Sequence, residues 1–301
     1  MSKFIHFLFL AILATSCNSA QDTDNKTVSD STSEKTTEPT ITATQLWASD
    51  TIFQKPESVL FNANDSILYV SNIAGGDAEK NKMGFISKLN LKGQIIKLKW
   101  VEGLNAPKGM ALLKQRLFVA DINDLIEIDT ATGKIKKRYP VPGSLFLNDV
   151  AADTAAGVLY ISDSDANRIY EFRDNQINIW MDSLIQNPNG LLVKDGSLLV
   201  LKMKESILVS VNLSTKEITQ INKGMGAGDG IVSTGVSGEY LVSSWDGEVY
   251  FVPKNGQPES IINTLNEKTN AADIEFLTDQ NLLLVPTFFK NKVVAYKLIR
   301  N

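Results

Sequence analysis

The sequence has one cysteine and one histidine, and both, Cys17 and His6, lie within its first 17 residues. The rest of the chain therefore has no disulfide, no thiol nucleophile, no imidazole base and no nitrogen or sulfur ligand for a soft metal. Ser-His-Asp triads and zinc sites built on histidine are excluded. Its chemistry must come from carboxylates, amides, hydroxyls, lysine or a hard cation held by oxygen. Charge of one sign is lacking too: 30 Lys and Arg stand against 34 Asp and Glu, a net charge of -4. No basic cluster marks a nucleic-acid surface, so no nucleic-acid partner is expected. The 301 residues, 43% of them hydrophobic, suffice for one large domain or two small ones. That composition is neither collagenous nor disordered.

Long apolar runs are scarce. The run Phe4 to Leu13, which follows Lys3 and is interrupted by His6, is too short to span a bilayer as a mature helix and reads as a secretory signal. It ends in Ala14-Thr15-Ser16-Cys17. Small residues before a lone cysteine resemble the lipobox of bacterial lipoproteins, which implies lipidation of Cys17, although Ala14 stands where the lipobox usually has Leu. A plain signal with an incidental cysteine is the alternative. From Asn18 to about Thr44 nearly every residue is small, polar or charged, which suits a flexible tether. The expectation is a signal over 1–17, a tether over 18–44 and a folded domain over 45–301. The domain would be exported and held in the cell envelope through Cys17, on the periplasmic face or the cell surface.

The folded part is built from short apolar runs separated by turn residues. Ser66–Ser71, Arg116–Asp121 and Gly157–Ser162 look alike, as do Ser197–Val200, Glu239–Ser243 and Asn281–Val285. They are rich in Val, Ile, Leu and Tyr and read as strands, with no helix of useful length competing. A polar residue precedes each run at a matching place: Glu57, Lys108, Asn148, Asn189, Asp229 and Asp273. These six are separated by 51, 40, 41, 40 and 44 residues. A period near forty with four strands per unit predicts an all-β, six-bladed propeller. The sixth unit ends without an outer strand, while a spare strand, Gln45–Ser49, precedes the first. Pairing the two would close the ring and leave no open edge.

Matching positions in a propeller converge at the central channel, which would place the six polar residues around one mouth. Glu57, Asn148, Asn189 and Asp229 offer hard oxygen ligands suited to Ca²⁺ or Mg²⁺. Taken singly, each fits turn chemistry better than a ligand role, since Asn-Gly, Asp-Gly and Asn-Asp pairs often satisfy nearby backbone; taken as a set on the repeat period, they favour a shared ligand. Met110, Phe146, Met203, Met225 and Phe288 are candidates for an apolar shell or for the core. The long connection Ile73–Gly84 in the first unit is either a lid or a surface insertion. The Trp245-Asp246 pair has no partners in other units and does not indicate a WD40 repeat.

Pro56-Glu57-Ser58, Leu147-Asn148-Asp149, Pro188-Asn189-Gly190-Leu191 and Gly228-Asp229-Gly230 resemble motifs of the SMP-30/gluconolactonase family, relatives of the paraoxonases. The resemblance covers about 45–301. It implies a six-bladed propeller with one divalent cation, usually Ca²⁺ (with Mg²⁺, Mn²⁺ or Zn²⁺ as alternatives), held by Glu57, Asn148, Asn189 and Asp229. It also implies hydrolysis of a lactone or related ester, with Asp229 as the candidate for activating water. The sequence departs from the family at Ser58, where Gly is usual, and at Gly228, where Pro is usual. Phe146 stands where sugar-lactonases carry a substrate-binding Arg, and Lys108, Phe146 and Asp273 remain candidates for substrate contact. The other reading is a non-catalytic, NHL-like propeller that binds a small molecule or protein. Oligomeric state is not indicated.

Overall fold

In the computed structural model, which describes residues 40–301, each apolar run is the second strand of a four-stranded antiparallel sheet. Six such sheets form the blades of a propeller. The inner strands are Pro56–Asn62, Pro107–Leu113, Leu147–Asp153, Pro188–Lys194, Gly228–Ser233 and the short Glu275–Leu277. The fourth blade shows the pattern plainly, running Pro188–Lys194, Ser197–Lys202, Ile207–Asn212 and Ile218–Lys223 from the channel outward. Second strands such as Val158–Asp163 are buried along their whole length, so they read as unbroken apolar runs. The outer strand Ile218–Lys223 is largely exposed and correspondingly polar.

Closure comes from the strand Ile41–Ala48, which begins earlier than the sequence suggested and pairs antiparallel with Val293–Arg300. It is the outer strand of the sixth blade, paired from Ile41 opposite Arg300 to Ala48 opposite Val294 with one bulge between Gln45 and Trp47. At the channel, the amide of Asp273 donates to the carbonyl of Glu57 at 2.9 Å, so the first and last inner strands also meet. Apolar packing repeats this closure. Each pair of neighbouring blades shares a buried cluster, and the seam is no exception: Leu277, Leu282, Leu284 and Val293 of the sixth blade pack on Val59, Leu68 and Leu89 of the first. Burial of this kind stabilises by roughly 25 cal/mol per Å² of apolar surface, so the ring is held at all six interfaces.

The signal segment, Cys17 and most of the tether lie outside the described residues. Among the described residues, no helix is long and apolar enough to cross a membrane.

Candidate functional site

Each of the first five inner strands begins with the same irregularity. Pairing with the second strand skips two residues between Pro56 and Val59, Pro107 and Met110, Leu147 and Val150, Pro188 and Leu191, and Gly228 and Ile231. These bulges free the first skipped residue to face the channel mouth. That residue is Glu57, Lys108, Asn148, Asn189 or Asp229. The second skipped residue lies against the next blade, and there space is short. A Cβ on Gly190 would lie 2.1 Å from the carbonyl oxygen of Asp229. The Asn189-Gly190 pair therefore combines a channel-facing side chain with a close strand approach, and any side chain at 190 would push the two strands apart.

Serines that the sequence reading did not single out hold three of the bulges. Ser71, Ser162 and Ser243 sit at matching places on second strands of the first, third and fifth blades, fully buried. Their Oγ atoms accept the amides of Ser58 at 2.9 Å, Asp149 at 2.9 Å and Gly230 at 2.8 Å. Each secures the peptide next to Glu57, Asn148 or Asp229. A signal was present in the sequence, since the serines recur in alternate repeats, but they look like ordinary strand residues. Asp163 does a similar job one turn earlier. Its carboxylate accepts the amides of Leu145 at 2.8 Å and Phe146 at 3.0 Å, which fixes the Phe146 side chain at the mouth.

Glu57, Lys108, Phe146, Asn148, Asn189 and Asp229 line one cavity of about 320 Å³. Asp273 does not join them. It lines a separate cavity of the channel with Asp149 and Glu275, its Oδ2 accepting a hydrogen bond from the Ser58 hydroxyl at 2.6 Å. Its charge still reaches the site, since it helps to raise the pKa of Glu57. Of the apolar candidates, Met203 and Phe288 line the site cavity as well. Met225 is fully buried between the fourth and fifth blades, and Met110 faces the other cavity. Trp245 and Asn187 line the site and were not expected there.

Polar bookkeeping separates this cavity from the rest of the molecule. Among the described residues, four buried side-chain atoms lack a hydrogen-bond partner: Glu57 Oε2, Asn187 Oδ1, Asp229 Oδ2 and Ser244 Oγ. Three of the four belong to residues lining this cavity. A buried acceptor without a partner costs about 1–3 kcal/mol, more if charged, and such groups in a native fold call for an explanation, an ordered water or a bound ion among them. Burial raises the pKa of Glu57 well above the usual carboxylate range, and the nearby charges of Asp229 and Asp273 add to this. Burial pushes Asp229 up to about 7, against the lowering effect of the Asn189 amide, which donates to its Oδ1 at 2.8 Å. Lys108 is depressed by burial, while Glu57 and Asp77 hold it up.

The donor set fits a hard divalent cation: two carboxylates with open oxygens, two amides, and no sulfur or imidazole. Positive charge placed between Glu57 and Asp229 would relieve both open oxygens. Lys108 is directed elsewhere. Its Nζ donates to the carbonyl of Asp77 at 2.8 Å and of Ala106 at 3.3 Å, and lies 4.1 Å from the Phe146 ring centre. The long connection of the first blade thus touches the mouth through the Asp77 backbone.

No family model and no curated protein matches the sequence. Solved structures do match in shape. The chain is similar to selenomethionine-substituted virginiamycin B lyase from Staphylococcus aureus at 14% identity, with 86% of this chain and 100% of that one covered and a TM-score of 0.63. It is similar to a gluconolactonase from Xanthomonas campestris at 15% identity, covering 82% and 87%, with a TM-score of 0.61. It is also similar to a chain of a nidogen/laminin complex at 13% identity, covering 72% and 89%, with a TM-score of 0.56. A lyase, a lactonase and a protein complex share this architecture, so the likeness establishes the six-bladed propeller and leaves function to the site.

Proposed function

We propose that this protein is a divalent-cation-dependent hydrolase of a lactone or related ester, with Ca²⁺ the best fit to its oxygen donors. The observation that carries this reading is the pair of unpartnered buried oxygens, Glu57 Oε2 and Asp229 Oδ2, in a cavity that also presents Asn148 and Asn189. Glu57, Asn148, Asn189 and Asp229 would hold the cation. When bound, it supplies polarisation of the scissile carbonyl and charge stabilisation of the oxyanion. Asp229 would take a proton from the attacking water as the water oxygen bonds to the carbonyl carbon. The same proton would pass to the departing alkoxide as the C–O bond breaks. Asn189 would keep Asp229 oriented through the 2.8 Å bond to its Oδ1. Phe146 and Met203 would exclude bulk water from the reacting carbonyl.

Calorimetric titration of the protein with Ca²⁺, beside Asp229→Asn, tests this reading. One-to-one binding that the substitution abolishes, followed by lactone hydrolysis that it also abolishes, is the expected result. If no divalent cation binds, the hydrolase reading falls, and the propeller is better read as a binding module. We also propose that Cys17 carries a lipid anchor in the cell envelope. A Cys17→Ser form that still fractionates with membranes would count against it.

A further inference from the structure

We infer that the substrate carries an apolar aryl or branched-alkyl group beside its reacting carbonyl, and that Phe288 and Trp245 receive it. This rests on the hydrolase reading for the carbonyl end of the ligand. The cavity lining is mixed. Polar groups come from several blades, with Asn148, Asn187 and Asn189 on the third and fourth and Glu57 and Asp229 on the first and fifth. Beside them the fifth, sixth and first blades also contribute Trp245, Phe288 and Ile73. These three form one apolar surface: Phe288 and Ile73 belong to a buried cluster with Ala106 and Ile122, and Trp245 packs against it. The Trp245 and Phe288 rings meet edge to face at 4.7 Å and 71°, an arrangement that fixes both.

The backbone at Phe288 is constrained. Its φ is +41°, in the left-handed region that bulky side chains avoid. The turn is clamped around it: Thr287 Oγ1 donates to the Lys292 carbonyl at 3.0 Å and accepts its amide at 3.3 Å. Strain of this kind persists where surrounding structure imposes it, and it clusters at ligand sites. An Asn or Gly would hold this turn more easily, and yet a phenyl ring occupies it and lines the cavity. Phe146 adds a further aromatic side chain to the lining. An apolar substituent set against this patch gains by displacing water from it, and a cavity of about 320 Å³ has room for a lactone or ester with a phenyl-sized group.

The test is binding of non-hydrolysable probes to the full chain, with and without Ca²⁺, followed by calorimetry and by Trp fluorescence. The probes are 2-phenylcyclopentanone, cyclopentanone and 1,5-anhydroglucitol. We expect the phenyl ketone to bind at least tenfold more tightly than either of the others. Phe288→Asn, which suits the left-handed turn, should remove most of that advantage, with the circular dichroism spectrum and Tm of the variant recorded to show that the propeller is retained. Trp245→Leu should lower the advantage in the same sense. Equal binding of the three probes, tighter binding of 1,5-anhydroglucitol, or a phenyl preference untouched by both substitutions would overturn the inference. Its failure is separable from that of the hydrolase reading. A phenyl preference without ester hydrolysis leaves the apolar wall standing and removes the enzyme, while hydrolysis without a phenyl preference does the reverse.

Discussion

The two cavities of the channel share five inner strands and carry buried carboxylates, and those carboxylates differ in how completely they are bonded. Asp149, Asp273 and Glu275 have partners. Asp149 accepts the amides of Val150 at 2.6 Å and Leu191 at 2.7 Å, and Glu275 accepts those of Phe61 at 3.0 Å and Phe276 at 2.9 Å. Glu57 and Asp229 each keep an oxygen with none. Burial raises the pKa of all five, so the shift alone does not tell ligand from staple. Hydrogen-bond completeness does. Asp149 and Glu275 stitch one blade to the next, whereas Glu57 and Asp229 are left open toward the mouth.

Both cavities depend on the closed ring, and the largest effect should come from opening it. A chain shortened to begin at Trp47 loses six of the eight residues of the closing strand, and we expect it to lose about 4 kcal/mol, roughly 10 °C in Tm. An unchanged Tm by calorimetry would mean that the seam carries little stability.

The contrast itself is tested by one substitution at each kind of carboxylate. Asp149→Ala strands the amides of Val150 and Leu191 and should cost about 2 kcal/mol in chemical denaturation. Asp229→Asn keeps an acceptor for Asn189 and removes a charge that burial disfavours, so the metal-free protein should be as stable as the parent or more so. Should the two lose stability equally, the distinction between staple and ligand would not hold.

Acidity sharpens the same comparison. Glu275 is pushed from 4.5 up to about 7 and Asp149 from 3.8 up to about 6, both chiefly by burial. Between those limits the folded chain holds protons that the unfolded chain has released, so stability falls as pH rises. The Tm of the metal-free protein should therefore be higher at pH 5 than at pH 8. A Tm that climbs across that window would show that the carboxylates are better compensated than their surroundings suggest. The smallest effect should be that of Ser162→Ala, about 1 kcal/mol from one lost bond to the Asp149 amide. It should also loosen Asn148 and so weaken Ca²⁺ binding modestly, which a structural role alone would not do.

Much of the architecture was legible because a propeller is a repeat. Six unbroken apolar runs at a period near forty fix the second strands, and the missing outer strand of the last unit demands a donor from the other end. The first-strand positions of Glu57, Asn148, Asn189 and Asp229 were legible for the same reason. Asp273 shares the period, and the register of its blade would put it with them. Its inner strand is the short Glu275–Leu277, however, and its carboxylate bonds to Ser58 and faces the other cavity. Phe288 and Trp245 belong to no motif. They reach the mouth from segments that follow second strands, at distances from the ligand residues that no spacing rule encodes.

The sequence by itself determined the propeller, its closure and the set of hard oxygen donors, because hydrophobic period and residue chemistry are written along the chain. Only the tertiary structure decided which carboxylates are spent on neighbouring amides and which remain open, and which apolar side chains line the mouth rather than fill the core. Those outcomes depend on contacts between blades some forty residues apart, and desolvation and hydrogen-bond completeness exist only once the blades have packed.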